Sequence, residues 1–274
     1  MRHAAAAALV LLHAHAVAVA SAALPAAFDW RNVNDTNWLN PVRNHHLPLN
    51  SSCASCWSVT AASVMGDRLN ILAGAAGRHM PRLELSAQHL LNCVPGAKRC
   101  GYPGSASAAM RYVAEHGIVS EDCAPYENDK HPCDAIHACA SMDATGSHTL
   151  VAVKDPPLYF VDKNIDVTSN DTAAMQTAIL TGPIACGIHV SQSLLNYTGG
   201  VLTDTDGGHT SDDHSIMLVG WGVNADITYW LLQVCVYAAT AVCCCTGACA
   251  DLLVRRTTGA NAGVTKASLS FSAV

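Results

Sequence analysis

Charge is scarce in this chain of 274 residues, at 13% of positions, with Lys+Arg 15 against Asp+Glu 21. There is no basic run and no aromatic platform, which argues against a nucleic-acid partner. Beyond the N-terminus no segment reaches ~18 uninterrupted apolar residues, which argues against a membrane span. No internal repeat is visible, so a repeat array is set aside. What is abundant is apolar sequence, at 50% of residues. The length allows one or two domains with a sizeable core.

Part of the apolar excess lies in residues 1–23, which read as a secretory signal. Arg2 and His3 form a weak basic start, Ala4 to Ala20 an apolar run, and Ser21-Ala22-Ala23 a small-residue cleavage region. His13 and His15 interrupt that run. The formal charge of −6 becomes +8 if all 14 histidines are protonated, so its sign can change in an acidic compartment. Four Asn-x-Ser/Thr acceptors, at Asn34, Asn50, Asn170 and Asn196, fit passage through the secretory pathway as a glycoprotein. Cysteine usage agrees: thirteen suit an oxidising compartment, eight between Cys53 and Cys186 and five crowded into Cys235 to Cys249. The expected location is the secretory route, ending in a lysosome or outside the cell.

Helical signals come first. One stretch runs from Cys56 to about Leu72, a second starts near Ser86, a third covers Ala106 to His116 and ends at Gly117. Asp122 to Ser147 is a cysteine-bearing loop region without clear period. A fourth helix, Thr172 to Leu180, stops at Gly182-Pro183. Ile184 to Val190, His214 to Val223 and Thr228 to Leu232 read as strands. Helices early and strands late predict an α+β fold with a helical half and a β half.

Cys56 sits in Cys53-Ala54-Ser55-Cys56-Trp57, directly before the first helix. A thiol at a helix N-terminus is expected to have a lowered pKa, because the partial positive charge there favours the anion. Trp57, Ala61, Met65 and Leu72 follow at roughly helical spacing. One reading is a nucleophile at the start of a buried helix; the other is a Cys53/Cys56 redox or metal pair. His214 opens an apolar strand that ends in Gly220-Trp221-Gly222. Taken alone it is either a core histidine or a base for the thiol.

These residues carry a resemblance. Leu24-Pro25-Ala26-Ala27-Phe28-Asp29-Trp30-Arg31 resembles the mature start of papain-like cysteine proteases (peptidase family C1). Cys53 to Trp57 resembles their nucleophile box, and His214 to Gly222 their histidine strand. Arg43 to Pro48, Asp67 to Ile71, His116-Gly117-Ile118 and Asn196 to Gly200 are similar to the cathepsin X/Z branch. The likeness spans about Leu24 to Leu232, so the expected organisation is 1–23 signal, 24–232 peptidase domain and 233–274 divergent tail.

The resemblance implies a two-lobed papain-like fold, with a helical left lobe and a β-barrel-like right lobe that is incomplete. It implies a thiol carboxypeptidase acting on peptide or protein substrates, with Cys56 as nucleophile and His214 as base. No cofactor and no metal are expected, and a monomer is the default. The second oxyanion donor falls on His45 by the branch motif, or on Asn50 by counting back from Cys56. The loop His46-Leu47-Pro48 is implied to bind the substrate's terminal carboxylate; otherwise His46 is a surface turn residue. The implied disulfides are Cys53 with Cys100, Cys93 with Cys133, and Cys123 with Cys139, with Cys186 a buried free thiol. Near Cys100, Tyr102 and Pro103 depart from the family's glycine pair.

The largest departure follows Trp230. Val234 stands where the family places an asparagine that orients the histidine, and valine forms no such hydrogen bond. Asp213 is a poor substitute, because adjacent strand residues point to opposite faces. Losing an orienting member costs roughly 10⁴ in rate by analogy with other triads. The cysteine-rich tail reads as an altered splice or shifted frame rather than a metal site. The family's pro-segment is also not seen between Ala23 and Leu24. The alternative function is therefore an inactive papain-like glycoprotein that binds peptides.

Overall fold

The computed structural model describes residues 23–46, 53–78, 81–97, 100, 104–143, 149–168, 171–202, 213–224 and 227–233, and the backbone of four short strands beyond them. A two-residue strand β1 (Phe28–Asp29) leads into a 3-10 turn at Trp30–Asn32, in which the Arg31 N–H donates to the Asp29 side chain. Three helices follow: α1 (Cys56–Ala75), α2 (Ala87–Cys93) and α3 (Ala106–His116). The last two start on serine caps, Ser86 accepting from the His89 N–H and Ser105 from the Ala108 N–H. Gly117 ends α3 with φ 76°, a conformation that favours glycine. A β-carbon there would also press on Phe160 and Leu158.

The region expected to be loop holds a short helix α4 (Ala135–Ala138) and an antiparallel hairpin, β2 (Ala140–Met142) and β3 (Leu150–Ala152). Asp134 caps α4 by accepting from the His137 N–H. Such short elements leave no periodic trace in sequence. Then come β4 (Lys163–Val167), α5 (Thr172–Ile179), β5 (Ile184–Ile188), α6 (Gln192–Leu195), β6 (Val201–Leu202), β7 (His214–Asn224) and β8 (Ile227–Gln233). The remaining strands are β9 (Tyr237–Ala238), β10 (Ala241–Val242), β11 (Leu252–Arg255) and β12 (Thr265–Ser270).

The main sheet runs β4-β12-β5-β7-β8-β11-β6, with β1 added on β7. Two segments of the divergent tail enter the sheet. β11 pairs with β8 antiparallel and β6 parallel, and β12 lies between β4 and β5. The sheet is open and does not close into a barrel. Gly220 is required where β1 crosses, because a β-carbon there would lie 2.1 Å from the Phe28 carbonyl oxygen.

Helix α1 packs against α2, α3, β5 and β7, which is why it is buried nearly all round rather than along one stripe. Trp57, Ala61 and Met65 are buried as expected, but Leu72 is 38% exposed and Ile71 takes the inward position. Arg68, on the same helix, is buried and donates to the carbonyls of Ala178, Gly182 and Pro183. It anchors the end of α5 and the start of β5 to the helical half. Disulfides join Cys53 to Cys100, Cys93 to Cys133 and Cys123 to Cys139, while Cys56 and Cys186 are free thiols. Among the described residues no helix is long and apolar enough to cross a membrane.

Candidate active site

Cys56 is the first residue of α1. The residue before it, Ser55, makes no side-chain cap to the helix. Its hydroxyl instead lies 2.5 Å from the Tyr126 hydroxyl. An uncapped helix start leaves its first N–H groups for other acceptors, and an anion at that end is favoured. One turn on, Thr60 Oγ1 donates to the Ser215 carbonyl at 3.0 Å. That bond ties α1 to β7 beside His214. A cavity of about 30 Å³ lies beside it, lined by His45, Cys56, Thr60, His214, Ser215 and Gln233 among others.

The Cys56 thiol does not follow the expectation of a lowered pKa. Burial pushes it up. Hydrogen bonds from the Ser215 backbone, the Trp57 N–H, the Ser215 hydroxyl and its own N–H act in the opposite direction without overcoming burial. The helix-terminus effect read from sequence is therefore present in Trp57 and Cys56, and desolvation outweighs it.

His45 and His214 approach each other with ring centroids 5.5 Å apart, and His46 lies 3.9 Å from His45. His45 is buried and its pKa falls to about 3, first from burial and then from the neighbouring His46 and His214. It is therefore a neutral imidazole throughout the mildly acidic and neutral range and always carries one N–H. His46 is half-buried, which lowers its pKa as well. Its backbone N–H donates to Asn44 Oδ1 at 2.8 Å.

Asp213 precedes His214 but serves other groups. Its Oδ2 lies 2.9 Å from His189 Nδ1, and its Oδ1 accepts from the Val190 N–H at 2.9 Å. The alternation of strand side chains accounts for this.

Cys56, His214 and His45 thus share one cavity. Asn50, Leu47, Pro48, Tyr102, Pro103 and Val234 lie outside the described residues, as does the sequon at Asn170. Asn34 and Asn196 are exposed; Asn34 sits in a turn at φ 54°. Among the described residues no group of three or more His, Cys, Asp or Glu is arranged to hold a metal ion.

Sequence reasoning did not single out Tyr126, Thr60, Ser215 or Gln233. Each enters through a long-range contact or through the cavity lining, which no local spacing encodes. Arg43 was visible only as part of a motif. In the structure it lines the cavity, donates to the Leu85 carbonyl at 2.8 Å and pairs with Glu121.

Comparison with known proteins adds family context. The family model "Papain family cysteine protease" matches residues 24–234. Cathepsin Z of Onchocerca volvulus is 32% identical over 211 residues, covering 76% of this chain and 64% of that protein. Cathepsin B-like cysteine proteinase 6 of Caenorhabditis elegans is 31% identical over 232 residues, covering 76% of this chain and 57% of that one. The chain therefore spans less than two-thirds of the length of these two relatives. Digestive procathepsin L 3 from Tenebrio molitor larval midgut superposes with a TM-score of 0.66 at 24% identity, over 90% of this chain and 70% of that chain. The bromelain protease of Ananas comosus, solved with the inhibitor E64, gives a TM-score of 0.65 at 19% identity, over 89% and 97%. At such identity the two structures speak for the fold alone. The match to the family model across residues 24–234 makes this chain a member of the papain family of cysteine proteases.

Proposed function

We propose that this chain is built as a thiol carboxypeptidase that removes residues from the free C-terminus of peptides. The observation that carries the reading is one cavity lined by the free Cys56 thiol at a helix start, by His214 and by His45, whose pKa burial lowers to about 3. In this scheme the Cys56 sulfur attacks the scissile carbonyl carbon and a C–S bond forms. The carbonyl oxygen becomes an oxyanion, which the Cys56 N–H and the His45 imidazole N–H stabilise. His214 carries the thiol proton to the leaving amine as the C–N bond breaks. Water then hydrolyses the thioester and regenerates the thiol.

His46 supports the direction of attack. It adjoins His45 and offers a donor, or an imidazolium at low pH, to a terminal carboxylate. Because burial lowers its pKa, carboxylate binding strengthens only below the ordinary histidine range. Peptide substrates processed along the secretory route, in a lysosome or outside the cell, fit this chemistry.

A second reading, an inactive peptide-binding glycoprotein, follows from Val234 standing where the family resemblance places an orienting asparagine. One experiment separates the readings. The folded chain is treated with iodoacetamide at mildly acidic pH and then assayed on peptides with free and amidated C-termini. The peptidase reading expects Cys56 to be alkylated first, activity to vanish in Cys56→Ser, and amidation to abolish turnover. Equal turnover of both peptides would point to an endopeptidase and return His46 to a turn residue. Turnover that survives Cys56→Ser would remove the nucleophile assignment.

A further inference from the structure

The Tyr126 hydroxyl lies at the meeting point of the two arms that form the cavity. It donates to the His45 carbonyl at 2.9 Å and lies 2.5 Å from the Ser55 hydroxyl. His45 bears one wall of the site, and Ser55 is the residue directly before Cys56. The third neighbour, Asn128 Oδ1 at 3.2 Å, also accepts from the Cys53 N–H at 3.1 Å. A phenol has one proton to give. A consistent order has Ser55 donating to Tyr126 and Tyr126 donating to the carbonyl of His45.

Tyr126 is itself held from the other side. Its backbone N–H donates to Glu121 Oε1 at 2.8 Å. Glu121 also pairs with Arg43, two residues before His45. The short segment 43–45 is thus gripped at both ends by one tyrosine and its carboxylate partner. Burial pushes the Tyr126 hydroxyl up to about 12, so it stays protonated and able to donate across the working range.

We propose that Tyr126 is a positioning residue that sets the distance between the His45 imidazole and Cys56, and so sets the quality of the oxyanion site. The inference rests on the peptidase reading above and adds a residue to it. Tyr126 acts through the His45 main chain, not by touching substrate. Its removal leaves the cysteine, the histidine base and the imidazole donor present but lets the donor drift. A displacement of about 1 Å at such a site costs on the order of a hundredfold.

The test uses two reagents on the full chain. Iodoacetamide, followed as alkylation at Cys56 by peptide mass spectrometry, reads that sulfur without the oxyanion donors. A peptide aldehyde reads the sulfur and the oxyanion donors together, since the thiol adds to the aldehyde carbon and its proton passes to the oxygen, with nothing lost. Tyr126→Phe is expected to keep its alkylation rate within about twofold while its aldehyde affinity falls about ten- to a hundredfold. His45→Ala should show the same split. The double variant should lose no more than the worse single variant, because both act on one donor. Full additivity, or an unchanged aldehyde affinity in Tyr126→Phe, overturns the proposal while leaving the peptidase reading intact. Failure of the unmodified chain to form any aldehyde adduct instead overturns the peptidase reading, and this inference with it. If Tyr126→Phe does not fold, Ser55→Ala removes the nucleophile end of the link and keeps the ring. The same split is expected there, and an unchanged aldehyde affinity again counts against the role.

Discussion

The two sides of the cavity are held very differently. On the helical side, the residues around Cys56 are tied by the Cys53–Cys100 disulfide and by hydrogen bonds through Ser55, Tyr126 and Asn128. On the sheet side, His214 rides on β7, whose register against β5 and β8 places it beside the helix. The adjacent carboxylate, Asp213, is directed to His189 and Val190. The comparison teaches that presenting a nucleophile and orienting a base are separate structural tasks. The first is done here by that disulfide and its neighbouring hydrogen bonds. The second depends in the family resemblance on an asparagine whose place Val234 takes.

The largest effect expected from this contrast concerns that position. If the asparagine implied by the family resemblance is what orients the His214 imidazole, Val234→Asn in the full chain should raise kcat/KM on a free-C-terminus peptide by about 10³–10⁴, most of it in kcat, because a held imidazole acts mainly in the transition state. Steady-state kinetics of the two proteins checks this. An unchanged kcat would mean that some other group already orients His214, and the contrast between the two sides would disappear.

On the other side of the cavity, the proposed oxyanion role of His45 predicts that His45→Ala lowers kcat by about 10²–10³ with little change in KM. Because His45 stays neutral down to a pKa of about 3, the pH profile should keep its shape between pH 5 and 8 while its height falls. A shifted profile in the variant would show that His45 takes part in proton transfer instead.

Much of the helical side was legible in sequence because its signals are local. The start of α1 at Cys56, the helix start at Ser86 and the stop at Gly117 all depend on residues a few positions apart, whereas the Ser105 cap of α3 was not read. The strands His214–Asn224 and Ile227–Gln233 were legible as apolar runs. The entry of β11 and β12 into the sheet was not, since Leu252–Arg255 and Thr265–Ser270 acquire their role only by pairing with distant strands. The Cys56 thiol was misread for a related reason. A helix terminus is a local feature, whereas the burial that outweighs it is set by β7 and the segment containing His45. Tyr126 was invisible because its partners Ser55 and His45 lie 71 and 81 positions away.

The helical side also contains a buried acid whose titration sharpens the contrast. Asp67, on α1, is fully buried and accepts from the Asn40 N–H at 2.8 Å. Its pKa rises to about 8, chiefly from burial; Glu84 raises it too, while the Asn40 bond, Arg82 and Arg43 oppose the shift. A carboxyl whose folded pKa lies above its unfolded value near 3.9 binds its proton more tightly when folded. The stability it contributes is complete below about pH 4 and is lost as the pH rises through 8. Urea midpoints should therefore fall between pH 5 and 8, by the equivalent of a few kcal/mol. Asp67→Asn should flatten that slope. A slope that persists in Asp67→Asn would locate the pH sensitivity elsewhere.

The smallest expected effect tests the sheet side directly. Asp213 is the one carboxylate next in sequence to His214, and an orienting role for it would make its loss cost roughly 10⁴ in rate. The geometry assigns it instead to His189 Nδ1 and the Val190 N–H, both beyond the end of β5. Asp213→Asn keeps an oxygen for Val190 and removes only the charge that faces His189. Activity should therefore stay within about threefold, and stability should drop by no more than about 1 kcal/mol, the ordinary worth of a partly exposed ion pair. A collapse of kcat in Asp213→Asn at unchanged melting temperature would show that the carboxylate reaches His214 during turnover. The base would then be as firmly held as the nucleophile.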